Sequence, residues 1–111
     1  MGAWPFRGSK GDNYTKITSS TVETPIVPAY DEKFANITGL VIANTSASVV
    51  KVTIRDGIVG NIRTVVEVPA TDTKVIGNGQ DVIFEQLAKN KQWTATCGSV
   101  DSVEITAMFK E

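Results

Sequence analysis

The sequence predicts an all-β domain: a jelly-roll-like two-sheet β-sandwich of seven or eight strands with an extended N-terminal arm. Three observations carry this. Val, Ile and Thr make up one third of the 111 residues, while leucine occurs only at Leu40 and Leu87; β-branched side chains suit pleated, half-buried strands better than helices. Several short segments alternate apolar and polar residues with a strand's period of two. Clusters of Gly, Asn, Asp and Pro separate them, the rhythm of a sandwich or jelly roll. At this length a second core would leave each half too little apolar surface to bury, so one domain is expected.

Residues 1–24 read as the arm and 25–111 as the sandwich. Gly2, Gly8 and Gly11 break any periodicity, and Arg7, Lys10 and Lys16 outnumber Asp12, so the arm is mildly basic. Within it Trp4-Pro5-Phe6 is an apolar cluster, and exposed aromatic groups gain energy only on finding a partner surface. Three outcomes compete: a loose terminus, aromatics folded back on the core, or an arm embracing a neighbouring subunit. Pro25 and Pro28 then bracket Ile26-Val27, which makes that piece an edge strand or extended connector, because proline cannot donate to a ladder.

The regular body follows. Ile37-Thr38-Gly39-Leu40-Val41-Ile42-Ala43 is a continuous apolar run with Gly39 as a bulge candidate, the pattern of a central strand covered on both faces. After turn formers from Asn44 to Ser48, Val50, Val52 and Ile54 alternate with Lys51, Thr53 and Arg55. Asp56-Gly57 and Gly60-Asn61 bound a reversal that leaves Ile58 and Val59 on a loop. In the next strand Ile62, Thr64, Val66 and Val68 are expected inward, with Arg63, Val65 and Glu67 outward and Val65 the imperfection. Thr73–Ile76 is a short strand ended by Gly77-Asn78-Gly79; Val82-Ile83-Phe84 begins another, and Glu85–Asn90 suits a single helical turn. Trp93, Ala95 and Cys97 are set against Gln92, Thr94 and Thr96. Val103, Ile105, Ala107 and Phe109 are set against Ser102, Glu104, Thr106 and Lys110. The Cys-Trp-Cys spacing of immunoglobulin domains is missing, which leaves the sandwich topology open.

Charge and composition exclude several function classes. A net charge of -1 lacks the concentration of Lys and Arg that phosphate binding needs, so nucleic acid is not an expected partner. The apolar runs are far shorter than the ~20 residues that span a bilayer, and no signal peptide or myristoylation motif is legible, so neither a membrane nor secretion is expected. The sequons at Asn13, Asn36 and Asn44 then carry little weight as glycosylation sites. With Cys97 as the only cysteine and no histidine, neither an internal disulfide nor a Cys/His metal site can form.

Candidate chemistry is equally thin. No histidine is present to activate a Ser, Thr or Cys nucleophile. Cys97 shares a strand face with Trp93 and Ala95 and reads as a buried, inert thiol. Asp31-Glu32 would point apart in an extended segment. Asp81, Glu85 and Asp56-Gly57 lack the ligand series of a calcium loop, and Gly77-Asn78-Gly79 lacks the Lys and helix of a phosphate loop. Trp93 could serve as a sugar-stacking platform, but its phase with Ala95 and Cys97 favours core packing. The expectation is no enzyme, no metal and no cofactor.

One resemblance spans nearly the whole chain. It lies in the total length, the glycine-bearing arm, the run Ile37-Thr38-Gly39-Leu40-Val41-Ile42-Ala43-Asn44-Thr45-Ser46 leading into Val52-Thr53-Ile54-Arg55-Asp56-Gly57, and the ending Trp93-Thr94-Ala95-Thr96-Cys97 with Val103-Glu104-Ile105-Thr106-Ala107. In these the chain resembles the capsid decoration, or staple, proteins of short-tailed bacteriophages. The resemblance implies a jelly-roll-like virion protein made in the host cytoplasm. It implies docking on the outer capsid surface, pairing as a homodimer and stapling neighbouring major capsid protein subunits. It brings no catalytic residues. The composition of the arm adds an expectation: Trp4 and Phe6 as anchors on the capsid, with Arg7 and Lys10 meeting an acidic face. The alternative is a carbohydrate- or receptor-binding sandwich module of a phage tail apparatus.

Overall fold

The structure, a computed structural model, describes residues 11–17 (as backbone), 23–27, 29, 33–98 and 103–110. Eight strands run β1 Gly11–Ile17, β2 Thr24–Val27, β3 Asn36–Asn44, β4 Val50–Asp56, β5 Asn61–Val68, β6 Thr73–Gly77, β7 Trp93–Cys97 and β8 Val103–Lys110. They form two four-stranded antiparallel sheets, ordered β1-β8-β3-β6 and β2-β7-β4-β5. First pairs with last, second with seventh, third with sixth and fourth with fifth. This is the order produced when one long antiparallel ribbon is rolled into a jelly roll.

The roll closes because each sheet has one apolar face. Leu40 and Ile42 of β3 with Ile105 and Ala107 of β8 meet Val50, Val52 and Ile54 of β4 with Trp93, Ala95 and Cys97 of β7 in one buried cluster. The alternation read along β4 holds, with Val50, Val52 and Ile54 buried and Lys51 exposed. The run in β3 is central, between β8 and β6, but it is covered on one face only: Val41 and Ala43 are half-buried on the outward side, because a two-sheet sandwich leaves one face of each sheet open.

Three bulges reset the period of two. Thr38 is the extra residue where Ile37 pairs with Phe109 and Gly39 with Met108, beside the glycine singled out as a bulge candidate. Ile26 is extra where β2 meets β7, which lets both Ile26 and Val27 be buried. Arg63 is extra in β5: Ile54 pairs with Thr64, but Arg55 pairs with Ile62. Each inserted residue turns the strand beyond it over. Ile62, expected inside, is therefore 54% exposed on the outer face, and Arg63, expected outside, lies over the Trp93 ring.

Other expectations are also corrected. Gly11–Ile17, read as part of the arm, is an edge strand along β8, so the sheet begins at Gly11 rather than at Pro25. Val82–Phe84 is no strand; only Phe84 bridges to Ile37. Glu85–Asn90 forms bends rather than a helical turn, because its backbone is drawn into bonds with other elements, among them Asn90 N to Lys33 O at 3.3 Å. Thr94, expected on the wet face, is fully buried, with its hydroxyl donating to Glu23.

Candidate interaction surface

One end of the sandwich gathers the β4–β5 turn, the start of β2 and the long connection from Asn78 to Gln92. Asp56, the last residue of β4, organises it. Its side chain is 4% exposed; Oδ2 accepts from Arg63 Nη1 at 3.3 Å and from Leu87 N at 3.0 Å, and Oδ1 from Gln86 Nε2 at 3.4 Å. Arg63 reaches Asp56 only because of the bulge. It also donates to Glu85 O at 2.7 Å, and its guanidinium sits 5.6 Å from the Trp93 ring and 5.9 Å from the Phe84 ring, within cation–π range.

Gln86 locks the connection a second time. Its amide oxygen accepts from Ala35 N at 2.8 Å, its amide nitrogen donates to Lys91 O at 2.7 Å, and its backbone N–H donates to Asn36 Oδ1 at 2.9 Å. Trp93 lies beneath, fully buried, with Nε1 donating to Ala35 O at 2.6 Å. It is a core residue that anchors the chain entering β3, not a platform for a sugar.

The turn above this frame is held from the side. The Glu23 carboxylate accepts from Val59 N at 3.0 and 2.9 Å and from the Thr94 hydroxyl at 2.5 Å. Gly60 N donates to Gly57 O at 3.0 Å, and a Cβ on Gly60 would lie 2.0 Å from Asp56 O, so the reversal admits only glycine there. Val59 is left at φ 54, a left-handed conformation that costs an L-residue about 1–2 kcal/mol. Its side chain finds no compensating burial, being 83% exposed; Ile58 is 63% and Leu87 64% exposed. Lys91 extends its Cδ to 3.8 Å from the position of a Gly57 Cβ, and Lys89 Nζ lies 5.8 Å from the half-exposed Phe34 ring.

The opposite end is held by Asn44. This 2% exposed residue donates through Nδ2 to Ser48 O, Val68 O and Pro69 O at 2.8, 3.0 and 3.1 Å. Its Oδ1 accepts from the Ser46 backbone N–H at 2.9 Å and hydroxyl at 2.7 Å. Asn78 caps its own turn in the same way, accepting from Gln80 N and Asp81 N at 2.8 and 2.9 Å, which accounts for Gly77-Asn78-Gly79 without a ligand.

Trp4, Phe6, Arg7 and Lys10 lie outside the described residues, as do Asp31 and Glu32. Cys97 is buried between the sheets, and burial pushes its thiol above the ordinary value. Among the described residues no group of three or more His, Cys, Asp or Glu is placed to hold a metal ion. Ile58 and Val59 were legible in the sequence as a loop between two glycine-bearing turns. Glu23, Phe34, Ile62 and Leu87 carried no such signal, since the bulge and tertiary hydrogen bonds place them.

The chain matches no family model and no curated protein. A solved structure described as the crystal structure of PirA is similar over 95% of this chain and 96% of its own, with 10% sequence identity and a TM-score of 0.49.

Proposed function

We propose that this chain is a non-enzymatic virion structural protein that binds the outer capsid surface, pairs there as a homodimer and staples neighbouring major capsid subunits. The observation that carries this reading is the end of the sandwich bearing Ile58, Val59 and Leu87, where aliphatic side chains are turned outward on a backbone held by hydrogen bonds to the Glu23 and Asp56 carboxylates. A stiff frame that presents apolar groups binds without first having to order them, which favours surface recognition. The whole-chain resemblance to capsid decoration proteins supports the choice of partner. The burial of Trp93 removes the one aromatic residue weighed as a sugar platform.

Stapling follows from contact geometry. A protein that binds across a subunit boundary only in the assembled shell stabilises that shell by its binding free energy. Several modest contacts on one rigid body raise one another's effective concentration. Trp4, Phe6, Arg7 and Lys10 supply one such contact in this proposal and the sandwich end another. Co-sedimentation with expanded capsids, and the heat resistance of capsids with and without the chain, test it. Removing residues 1–10, which leaves β1 whole, is expected to weaken occupancy. Failure of the native chain to sediment with capsids refutes the proposal.

A further inference from the structure

The end of the sandwich that gathers Val59 and Leu87 is also the end at which β1 begins. Gly11 pairs with Lys110, and Lys110 pairs with Asn36, whose side chain accepts from the Gln86 amide. Asp56, at the foot of the Ile58–Val59 turn, bonds to both Gln86 and Leu87. Residues 1–10 therefore join the domain at the end where Ile58, Val59 and Leu87 are exposed. Reach permits contact. With β1 packed over β2, the way from β1 to the β4–β5 turn is one sheet-to-sheet step of about 10 Å and two to three strand steps of about 4.8 Å, roughly 15–20 Å in all. At about 3.3 Å per extended residue, Phe6 reaches about 16 Å from Gly11 and Trp4 about 23 Å.

We infer that residues 1–10 form a strap that folds back over this end of their own chain, with Trp4 and Phe6 covering Ile58, Val59 and Leu87. Two features choose this occupant. The segment is tethered beside the patch and so meets it at a millimolar effective concentration, which a second copy in dilute solution does not reach. It also carries two aromatic rings within three residues, and such rings gain energy by finding apolar surface. Charge agrees at the point of contact: the segment has Arg7 and Lys10 and no acid, while the carboxylate touching Val59 is that of Glu23, whose partners among the described residues are neutral donors, the Val59 amide and the Thr94 hydroxyl. Lys33, Lys89 and Lys91 stand at this end too, so the tether and the aromatic pair, more than charge, select the strap. The strap describes the free chain and goes beyond the proposed function, whatever surface the chain binds. Docking requires the arm to bind a partner more tightly than it binds its own domain.

Acrylamide quenching of tryptophan fluorescence in the full chain tests the strap without any partner. Trp93 is fully buried, and subtracting the signal of a Trp4→Phe chain leaves Trp4 alone. Native Trp4 is expected to be quenched about threefold less than free N-acetyltryptophanamide, and the double change Ile58→Ser with Leu87→Ser to remove most of that protection. Both positions are exposed, so the double variant is expected to fold, with an unchanged far-UV spectrum as the check. Val59→Asn, which keeps a residue that tolerates the left-handed turn, is expected to act in the same direction. Native Trp4 quenched as freely as the free compound overturns the inference. Protection that survives in both variants overturns it as well, because Trp4 is then covered elsewhere. Protection lost on dilution, as sedimentation shows dimers parting, overturns it by making a second copy the occupant. A native chain that fails to bind capsids ends the proposed function and leaves the strap standing.

Discussion

Replacing Trp93 with phenylalanine tests the frame beneath the exposed apex. Three losses follow from the geometry. The smaller ring leaves a void of about 40 Å³, which at about 24 cal/mol per Å³ costs about 1 kcal/mol. The Ala35 carbonyl loses the indole N–H that lies 2.6 Å away in a buried setting, and a buried acceptor deprived of its donor costs about 1–3 kcal/mol. The guanidinium of Arg63 exchanges an indole face for a weaker phenyl one, at about 0.5 kcal/mol. The sum is about 2.5–4.5 kcal/mol. For a domain of this length that is a fall of roughly 10–20 °C in Tm. Urea unfolding of native and Trp93→Phe chains at one pH, with thermal scans alongside, measures it. A loss below about 1 kcal/mol would refute the account, because the indole would then be anchoring neither Ala35 nor Arg63. A sugar platform would behave in the opposite way, leaving Tm unchanged and abolishing polysaccharide binding.

Three further outcomes are expected. Asn44→Ala should cost about 2–4 kcal/mol and raise amide exchange at residues 45–49 and 69–72, since one side chain serves five partners; Asn44→Asp, which sets a carboxylate against three carbonyls, should be no better. Gly77→Ala puts a Cβ 2.4 Å from Thr38 O at φ 80 and should cost at least about 2 kcal/mol by chemical unfolding, whereas Gly98→Ala, with nothing nearer than 3.6 Å, should be near neutral. Cys97 should react with a thiol reagent only as fast as the chain opens, and its titration gives a signed effect. Because burial raises the folded pKa, the unfolded thiol ionises first, so the Cys97 contribution to stability is full below the ordinary value of 9.0 and is lost as pH rises through the folded value. Cys97→Ala should abolish that alkaline slope.

Much of the fold could be read from residues alone because burial imposes a period of two on a strand with one wet face. Val50, Val52 and Ile54 gave β4, and Val103, Ile105 and Ala107 gave the inward side of β8, since nothing interrupts their alternation. Gly57 and Gly60 marked the β4–β5 turn for a local steric reason that needs no distant partner. Where an extra residue enters a strand the reading fails. Nothing local tells Arg63 that it will be bulged, so the sequence assigns Ile62 and Arg63 to the wrong faces. The Val82–Phe84 run looked like a strand because apolar residues that cover a sandwich end have the same composition as those that pair within it.

The sequence by itself determined the class: abundant β-branched residues, few leucines and closely spaced turn formers leave a sandwich as the way to bury the apolar faces. It also placed Trp93 and Cys97 inward, since a strand's alternation is local. Only the tertiary structure decided the jelly-roll pairing of first strand with last, the reversal of Ile62 and Arg63, and the gathering of Glu23, Val59 and Leu87 at one end. Those depend on which edges meet across dozens of residues. That choice is made by the packing of two sheets together and by the Glu23 and Asp56 carboxylates finding donors, and neither quantity is a property of any short stretch of chain.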